Sequence, residues 1–237
     1  MVVVGSGRGY AAHHRQPFPL DTLIRPTQVF AGHSGSVRCG AFSPDGRAVV
    51  TGGGEGDSSL RAWDPKTGEC TTTVSGHDYH TAGLTSLALA PSSPVAVTGS
   101  EDGTARVANY ETGRRLGALA AHEDSVEGVA FVNGASLIAT GGVDGQLVLW
   151  DAATLAQRIA CAHPDGVTSL ATHPTQPLVL TSCLDGVVRV WDARTGECVR
   201  SLTGHGAAVQ CVAVSPDGAL ALSGGDDGAA KVFELEL

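Results

Sequence analysis

The sequence has no apolar stretch approaching the ~20 residues that a helix needs to cross a bilayer. Its first ten residues, MVVVGSGRGY, contain a short apolar run without a leading charge, so we expect no secretory signal peptide. No two of the six cysteines stand at C-x-x-C spacing, which disfavours zinc and thiol redox sites. Unpaired cysteines in apolar runs are typical of a reducing compartment, so we expect the cytoplasm, with the nucleus also possible.

Basic residues are also scarce. The chain has 15 Lys and Arg against 24 Asp and Glu, which gives a formal net charge of −9. This balance disfavours nucleic acid and anionic membrane as the main partner and favours a basic one. Glycine is abundant instead, with 32 residues at regular intervals, as repeated tight turns require.

The main feature of the sequence is an internal repeat. A Gly-His or Ala-His pair recurs, and the histidines are spaced by 44, 45, 41 and 42 residues. An alternating run such as residues 209–214 follows each pair, as expected of a strand with one buried face. Two further apolar runs and an Asp-Gly turn complete each repeat, and two repeats contain Ser-Pro-Asp-Gly. The histidines in these pairs are His33, His77, His122, His163 and His205.

Four short strands per repeat predict the blade of a β-propeller, because one such sheet buries its faces only against its neighbours. The repeat resembles the WD-repeat family over residues 31–235. That resemblance implies that a hydrogen-bonded tetrad of His, Ser or Thr, Asp and Trp holds each blade together. The sets are His33, Thr51, Asp57 and Trp63; His77, Thr98 and Asp102; His122, Thr140, Asp144 and Trp150; His163, Thr181, Asp185 and Trp191; and His205, Ser223, Asp227 and Phe233.

The first two repeats depart from this pattern. In the first, two extra residues let either Glu55 or Asp57 supply the carboxylate, and the distance to Trp63 favours Asp57. In the second, Ala108 stands where Trp is expected, and both His77 and His80 compete for the tetrad. We expect the second blade to be the softest of the interior ones.

The predicted fold is all-β, with five repeats and a partial N-terminal blade. The repeats span 32–75, 76–120, 121–161, 162–203 and 204–237, and the partial blade spans 1–31. Its second and third strands fall within about residues 1–14 and its fourth near 27–31. We expect an incomplete ring whose first and last blades are three-stranded and least ordered. A naturally shortened protein, a truncated gene model and an imperfectly closing chain all fit this pattern.

The recurring Ser or Thr, His and Asp are the residue types of a hydrolase triad. A structural role fits better, because the set occurs five times beside an aromatic position and no G-x-S-x-G motif is present. Glycines 5–9 fit a turn rather than a phosphate loop, and His13 and His14 would point to opposite faces of an extended chain. We expect no catalytic residue, metal, cofactor or small-molecule substrate.

The resemblance also predicts on which side of the propeller the charged residues lie. In WD-repeat propellers the loop before strand one and the turn between strands two and three lie on one side, here called the top rim. Acidic residues concentrate in these segments, and Arg38 is the one basic residue clearly assigned to them. Such loops could simply keep the rim soluble, or they could attract a Lys- and Arg-rich segment. The candidate partner-binding residues are Arg38, Glu55, Asp78, Glu101, Glu123, Asp124, Glu127, Asp165 and Asp226.

Four longer segments of the sequence resemble one particular family of WD-repeat proteins. Residues 122–128, 161–167, 181–196 and 225–233 are similar to the C-terminal half of the angio-associated migratory cell protein family, which includes a fungal ribosome-assembly chaperone. That resemblance implies a non-enzymatic escort of a basic ribosomal protein. The alternative is a generic WD-repeat adaptor in a ubiquitin-ligase, chromatin or trafficking complex. Both hypotheses expect a protein or peptide partner, with no direct binding of nucleic acid or membrane.

Overall fold

A computed structural model of the protein describes residues 28–132 and 134–235. These residues form nineteen strands in five antiparallel sheets and no helix. Each sheet is a simple meander, in which strands that follow one another along the chain lie side by side. The predicted all-β architecture of repeated four-stranded units is confirmed.

Sheet 1 contains β1 (Val37–Phe42), β2 (Val49–Gly53), β3 (Leu60–Trp63) and β4 (Cys70–Val74). Sheet 2 contains β5 (Leu84–Leu89), β6 (Val95–Ser100), β7 (Thr104–Asn109) and β8 (Arg115–Ala120). Sheet 3 contains β9 (Val126–Val132), β10 (Leu137–Gly142), β11 (Gln146–Asp151) and β12 (Gln157–Ala162). Sheet 4 contains β13 (Val167–Thr172), β14 (Leu178–Cys183), β15 (Val188–Asp192) and β16 (Cys198–Leu202). Sheet 5 contains β17 (Val209–Val214), β18 (Leu220–Gly225) and β19 (Ala230–Glu234).

The Ser-Pro-Asp-Gly turns connect the first and second strands of sheets 1 and 5. In the second of these turns, the Gly218 N–H donates to the Ser215 carbonyl at 2.9 Å, and Gly218 adopts a φ of +79°. A side chain at that φ would be strained, which is why glycine closes the turn. The Asp217 carboxylate accepts the Ser215 hydroxyl and fixes the corner.

The core lies between neighbouring sheets. Every residue of the second strands β10 and β14 is buried, because each strand has a sheet packed on both faces. Four apolar clusters hold the sheets together, and each joins one sheet to the next along the chain. The first strands contact one another in the order β1, β5, β9, β13 and β17. Radial stacking of this kind is how propeller blades bury their faces.

The stacked sheets form an open arc. Within the described residues, β17 and β1 share no packing like that between consecutive first strands. Sheet 5 has three strands, as predicted, and the arc agrees with the expected incomplete ring. The predicted first blade falls largely on residues 1–27, outside the described part of the chain.

The strand predicted near residues 27–31 is wrong for the part that is described. Residues 28–31 form no strand, because they pair with no neighbouring strand. The side-chain amide of Gln28 instead donates to the Thr67 carbonyl at 3.1 Å, and the Phe30 ring lies 5.7 Å from the Trp63 ring. The segment thus runs beside β3, from the turn that follows this strand to the Trp63 ring.

Candidate functional site

Sheet 3 has the complete tetrad. His122 Nδ1 lies 3.0 Å from Asp144 Oδ1, and its Nε2 lies 2.8 Å from the Thr140 hydroxyl. Trp150 Nε1 donates to the same hydroxyl at 3.0 Å. Because an indole N–H only donates, the hydroxyl can donate onward to Nε2, which leaves the Nδ1 proton for the carboxylate. The Glu123 N–H also donates to Asp144, at 3.1 Å, so the tetrad fixes the rim loop to the sheet.

The tetrad of sheet 1 uses Asp57. Its Oδ1 lies 3.1 Å from His33 Nδ1, and its Oδ2 accepts the Ser34 N–H at 2.6 Å. Burial disfavours the charge of this carboxylate, but hydrogen bonds from Ser59, Ser34 and His33 outweigh burial and lower the pKa of Asp57. Glu55 lies exposed on the same loop. The extra residues therefore bulge outward, and the contact between His33 and Asp57 is retained.

Sheet 2 uses His80, so the assignment of His77 to this tetrad is wrong. His80 Nδ1 lies 3.0 Å from Asp102 Oδ2, and its Nε2 lies 2.9 Å from the Thr98 hydroxyl. His77 is exposed in the loop before it. His80 stands 18 residues before Thr98, as the histidine stands before the hydroxyl in the other sheets. The N–H of the next residue, Thr81, donates to Asp102 at 3.0 Å.

In sheet 2, Tyr79 replaces the missing tryptophan as the aromatic partner of the tetrad hydroxyl. Its hydroxyl lies 2.8 Å from the Thr98 hydroxyl, the atom that an indole N–H reaches in sheet 3. The Tyr79 ring is buried in the cluster that contains Ala108, so it fills the space that the small side chain leaves. Sequence reasoning missed this residue, although a tyrosine beside the tetrad histidine was a visible signal.

Sheet 4 departs from the predicted tetrad. Asp185 pairs with Arg189 through two hydrogen bonds of 2.6 and 3.2 Å, and His163 Nδ1 finds no hydrogen-bond partner among the described residues. The assigned pairing of Asp185 with His163 is therefore wrong. The residue after this histidine is Pro164, which has no N–H. In the other sheets that N–H helps to hold the carboxylate beside the histidine.

The rest of the sheet 4 set is present. His163 Nε2 lies 2.8 Å from the Thr181 hydroxyl, and Trp191 Nε1 donates to that hydroxyl at 3.0 Å. Burial, together with the nearby charge of Arg189, lowers the pKa of His163 to about 4. A neutral imidazole therefore stays buried against the Trp191 ring, with the ring centres 4.8 Å apart.

Sheet 5 has a shorter hydrogen-bond chain. His205 lies 2.9 Å from Asp227 and 2.8 Å from the Ser223 hydroxyl. Phe233 occupies the tryptophan position, where its ring packs against the cluster shared with sheet 4 and donates no hydrogen bond. Hydrogen bonds from His205 and the Gly206 N–H lower the pKa of Asp227 to about 2.

The tetrads place the loops of the top rim next to one another. In each sheet a backbone N–H just after the second strand donates to a carbonyl just before the first strand, as from Glu101 to Gly83 at 3.0 Å and from Asp226 to Ala208 at 2.8 Å. The predicted acidic residues follow this rim. Those that are exposed are Glu55, Asp78, Glu101, Glu123, Asp124, Asp165 and Asp226, while Glu127 is partly buried.

Two of these carboxylates have cationic partners. Arg38 Nη1 lies 2.6 Å from Glu101 Oε1, so the rim arginine joins sheets 1 and 2 and is neutralised there. Arg115, on the outer strand of sheet 2, lies 3.2 Å from Asp78. Asp78 therefore faces the outside of the arc rather than its centre.

A cleft of about 460 Å³ lies beside Glu123, between the outer parts of sheets 2 and 3. Two carboxylates, Glu123 and Asp144, line it together with the amides of Gln146 and Gln157. Three alanines and Val148 form the rest of its wall. This arrangement can accept hydrogen bonds from a cationic side chain.

The tetrad hydroxyls are poorly placed for covalent chemistry. Those of Thr98, Thr140 and Thr181 are fully buried and already hydrogen-bonded. Among the described residues, no group of three or more His, Cys, Asp or Glu could hold a metal ion. His13 and His14 lie outside this part of the chain. In residues 28–132 and 134–235, no helix has the length and apolar character to cross a membrane.

Comparisons with known proteins agree with the repeat. The family model WD40, described as "WD domain, G-beta repeat", matches residues 24–64, 68–109, 113–151, 156–192 and 196–234. An uncharacterised WD repeat-containing protein of Schizosaccharomyces pombe is 32% identical over 217 residues, which cover 88% of this chain and 54% of that protein.

The chain spans about half the length of the curated relatives that it matches. Human angio-associated migratory cell protein is 32% identical over 221 residues, which cover 87% of this chain and 50% of that protein. Among solved structures, one of U3-55K superposes with a TM-score of 0.79 at 21% identity, over 88% of this chain and 64% of the other. This last likeness is one of fold.

Proposed function

The chain belongs to the WD-repeat family, and on that premise we propose that it is a non-enzymatic scaffold whose acidic top rim holds a Lys- and Arg-rich segment of another protein. WD-repeat proteins bind proteins or peptides, and the acidic rim supplies the chemistry that would select a basic one. The proposal places the protein in the cytoplasm or the nucleus.

The cleft beside Glu123 carries this proposal. A Lys or Arg side chain that entered it would meet Glu123 and Asp144, and the contacts with His122 and with the Glu123 N–H already hold the Asp144 carboxylate in place. A preorganised acceptor favours binding because little side-chain freedom is lost when the cation arrives. Asp124 is exposed next to this cleft and extends the negative surface.

The rim also offers apolar contacts. Val143 and Leu184 are exposed, and both follow the second strand of their sheets, as Glu101 and Asp226 do in theirs. A methyl added at Gly166 would lie 3.0 Å both from the Leu184 side chain and from the Val143 carbonyl oxygen, so Gly166 lies between the two residues. A segment that combines cations with one apolar side chain would fit this rim better than a uniformly charged one.

Measuring the affinity of an Arg-rich peptide at low and at moderate salt tests the proposal. We expect the affinity to fall steeply with salt, and the double substitution Glu123→Lys with Glu127→Lys to weaken binding by roughly tenfold or more. The matched control is Glu69→Lys with Glu111→Lys, two exposed acids outside the rim loops. Equal binding by the two double variants would refute a role for the rim.

The resemblance of residues 161–167 and 181–196 to the angio-associated migratory cell protein family favours a more specific task. We propose that the bound segment belongs to a basic ribosomal protein, which the chain escorts during ribosome assembly. Affinity capture of the chain from a lysate, followed by mass spectrometry, tests this. A single basic ribosomal protein that is lost as salt rises would support escort. A salt-resistant assembly of many subunits would instead support the generic adaptor.

A further inference from the structure

One position of the third strand carries a cationic residue in four of the five sheets. It is the position directly paired with the tetrad hydroxyl residue of the second strand. Sheet 3 differs, because the residue paired with Thr140 is Val148, which is buried and uncharged. The residues at this position in the other sheets are Arg61, Arg106, Arg189 and Lys231.

In sheets 4 and 5 this cationic residue pairs with the aspartate that follows the second strand. Arg189 donates two hydrogen bonds to Asp185, and Lys231 Nζ lies 3.9 Å from Asp227 Oδ2. These aspartates stand at the same position of the repeat as Asp144 in sheet 3. The third strand of sheets 4 and 5 thus supplies a positive charge to a carboxylate that has none from its own chain in sheet 3.

The cleft between sheets 2 and 3 lies where these cationic side chains lie in other sheets. A methyl added at Gly32, directly before the tetrad histidine of sheet 1, would be 3.2 Å from Arg61 Nη1. A methyl added at Gly204, at the same position of sheet 5, would be 3.6 Å from Lys231 Cδ. The counterpart in sheet 3 is Ala121, which lines the cleft. Sheet 3 therefore has open space where sheets 1 and 5 have a cationic side chain.

The carboxylates that line this cleft are not neutralised by the chain itself. The Asp144 side chain is 9% exposed and accepts hydrogen bonds from the Glu123 and Gln146 N–H groups, beside His122. In the part of the chain that the structure describes, no Lys or Arg forms an ion pair with Asp144 or Glu123. A charge-assisted hydrogen bond from a cation would stabilise this largely buried carboxylate.

We propose that the cleft receives one arginine side chain of the bound segment, in the position that Arg189 occupies in sheet 4. This inference rests on the proposed function and adds to it the type of residue that binds and the sheet that binds it. Val148 determines the sheet, because an uncharged side chain at its position leaves the cleft open.

The contacts favour arginine over lysine. The guanidinium of Arg189 reaches its carboxylate through two hydrogen bonds, whereas the ammonium of Lys231 stays 3.9 Å from the corresponding carboxylate. A guanidinium offers five N–H donors and an ammonium three. The cleft can use the larger number, since Gln146 and Gln157 add their amide oxygens to the two carboxylates.

Filling the cleft from within the chain tests the proposal. Val148→Arg gives sheet 3 the residue type that three other sheets carry, so binding of an Arg-rich peptide should weaken roughly tenfold or more. Ala160→Arg should act in the same way without altering the core, because Ala160 is the exposed partner of Val148 on β12 and lines the cleft. The matched control, Ala118→Arg, adds the same charge at the same position of sheet 2 and should leave binding unchanged. Thermal unfolding of each variant verifies that its sheets remain folded.

The outcomes separate this inference from the proposed function. If all three variants keep the salt-sensitive binding of the wild-type chain, the acidic rim stands and the arginine site is overturned. Equal weakening by Ala160→Arg and Ala118→Arg would show an effect of charge alone and would also overturn the site. If the wild-type chain does not bind the peptide at any salt concentration, the proposed function fails, and the inference fails with it.

Two small probes, N-acetylarginine amide and N-acetyllysine amide, test the cleft directly. In an NMR titration, the side-chain amide signals of Gln146 and Gln157 should shift with the arginine probe. The lysine probe should need a concentration roughly threefold or more higher for the same shift. Ala160→Arg should abolish the shift. Equal affinity for the two probes would overturn the preference for arginine, and the absence of any shift in the wild-type chain would overturn the site.

Discussion

Asp185 accepts two hydrogen bonds from Arg189, at 2.6 and 3.2 Å, and leaves the buried Nδ1 of His163 without a partner among the described residues. The cause lies one residue after the histidine. Pro164 cannot supply the N–H that holds the corresponding carboxylate in the other sheets, so the carboxylate turns to the guanidinium instead.

Restoring that N–H should restore the pairing. In Pro164→Ser we expect the carboxylate of Asp185 to move towards His163 and the pKa of this histidine to rise by about 1 or more, because a nearby carboxylate stabilises the imidazolium. An NMR titration of the His163 ring protons measures the change. Pro174→Ser, which alters another exposed proline directly after a histidine, is the control and should leave the pKa of His163 unchanged.

The lowered pKa of His163 predicts a pH dependence of stability. The folded chain keeps this imidazole neutral down to about pH 4, whereas its ordinary pKa is 6.5. Below pH 6.5 the unfolded state therefore binds the proton more readily, and the free energy of unfolding falls until the pH reaches about 4. Allowing for partial exposure, we expect a loss of about 2 kcal/mol.

Urea unfolding at a series of pH values measures this loss. His163→Gln should flatten the decline between pH 6.5 and 4, while His77→Gln, at an exposed histidine, should retain it. An equally steep decline in His163→Gln would show that His163 does not cause the loss of stability between pH 6.5 and 4. Asp57 and Asp102 have lowered pKa values, so the stability that they contribute is lost only at more acidic pH.

Tyr79 and Ala108 should be coupled energetically. Tyr79→Ala should lower the free energy of unfolding by about 3–5 kcal/mol, because it opens a cavity and removes one hydrogen-bond partner of the Thr98 hydroxyl. Ala108→Trp alone should also destabilise, because Tyr79 already fills the space. In the double variant the indole can occupy the vacated space, so the two losses should not add. Strict additivity in a double-mutant cycle would show that the two side chains do not share this space.

Trp191 should dominate the stability of sheet 4. Its indole donates to Thr181 and packs in the cluster that joins sheets 3 and 4. We expect Trp191→Ala to cost about 3–5 kcal/mol, whereas Arg194→Ala, at an exposed ion pair on the same repeat, should stay within about 0.5 kcal/mol. Chemical denaturation measures the free energy of unfolding of both variants. Equal losses would contradict the packing described for Trp191.

The repeat determined how much of the fold could be predicted from the sequence. Regular spacing of histidine, hydroxyl and tryptophan predicts strands and their pairing, because a one-residue shift would turn each buried group outward. Thr140 and Trp150 lie opposite the predicted partners for this reason. Residues 28–31 were less predictable, since an extended segment becomes a strand only if another strand is available to it.

Two details of the tetrads could have been predicted from the sequence. His80 stands 18 residues before Thr98, the same separation as between His33 and Thr51 in sheet 1, so spacing favours His80 over His77. The lack of an N–H at Pro164 is also visible in the sequence and could have predicted the change at Asp185. The ion pair between Arg38 and Glu101 joins two repeats, so no pattern within a single repeat could indicate it.

The open arc has a consequence for folding. Since the extensive contacts of each sheet within residues 28–132 and 134–235 are with the sheets before and after it, stability should be a sum of nearest-neighbour couplings, as in a linear array. Sheets 1 and 5 each lack one coupling among the described residues, so amide hydrogen exchange should be fastest there and slowest in sheet 3. A destabilising substitution in sheet 3 would uncouple the unfolding of sheets 1 and 2 from that of sheets 4 and 5. The same substitution in sheet 5 would leave sheets 1 to 4 unfolding cooperatively.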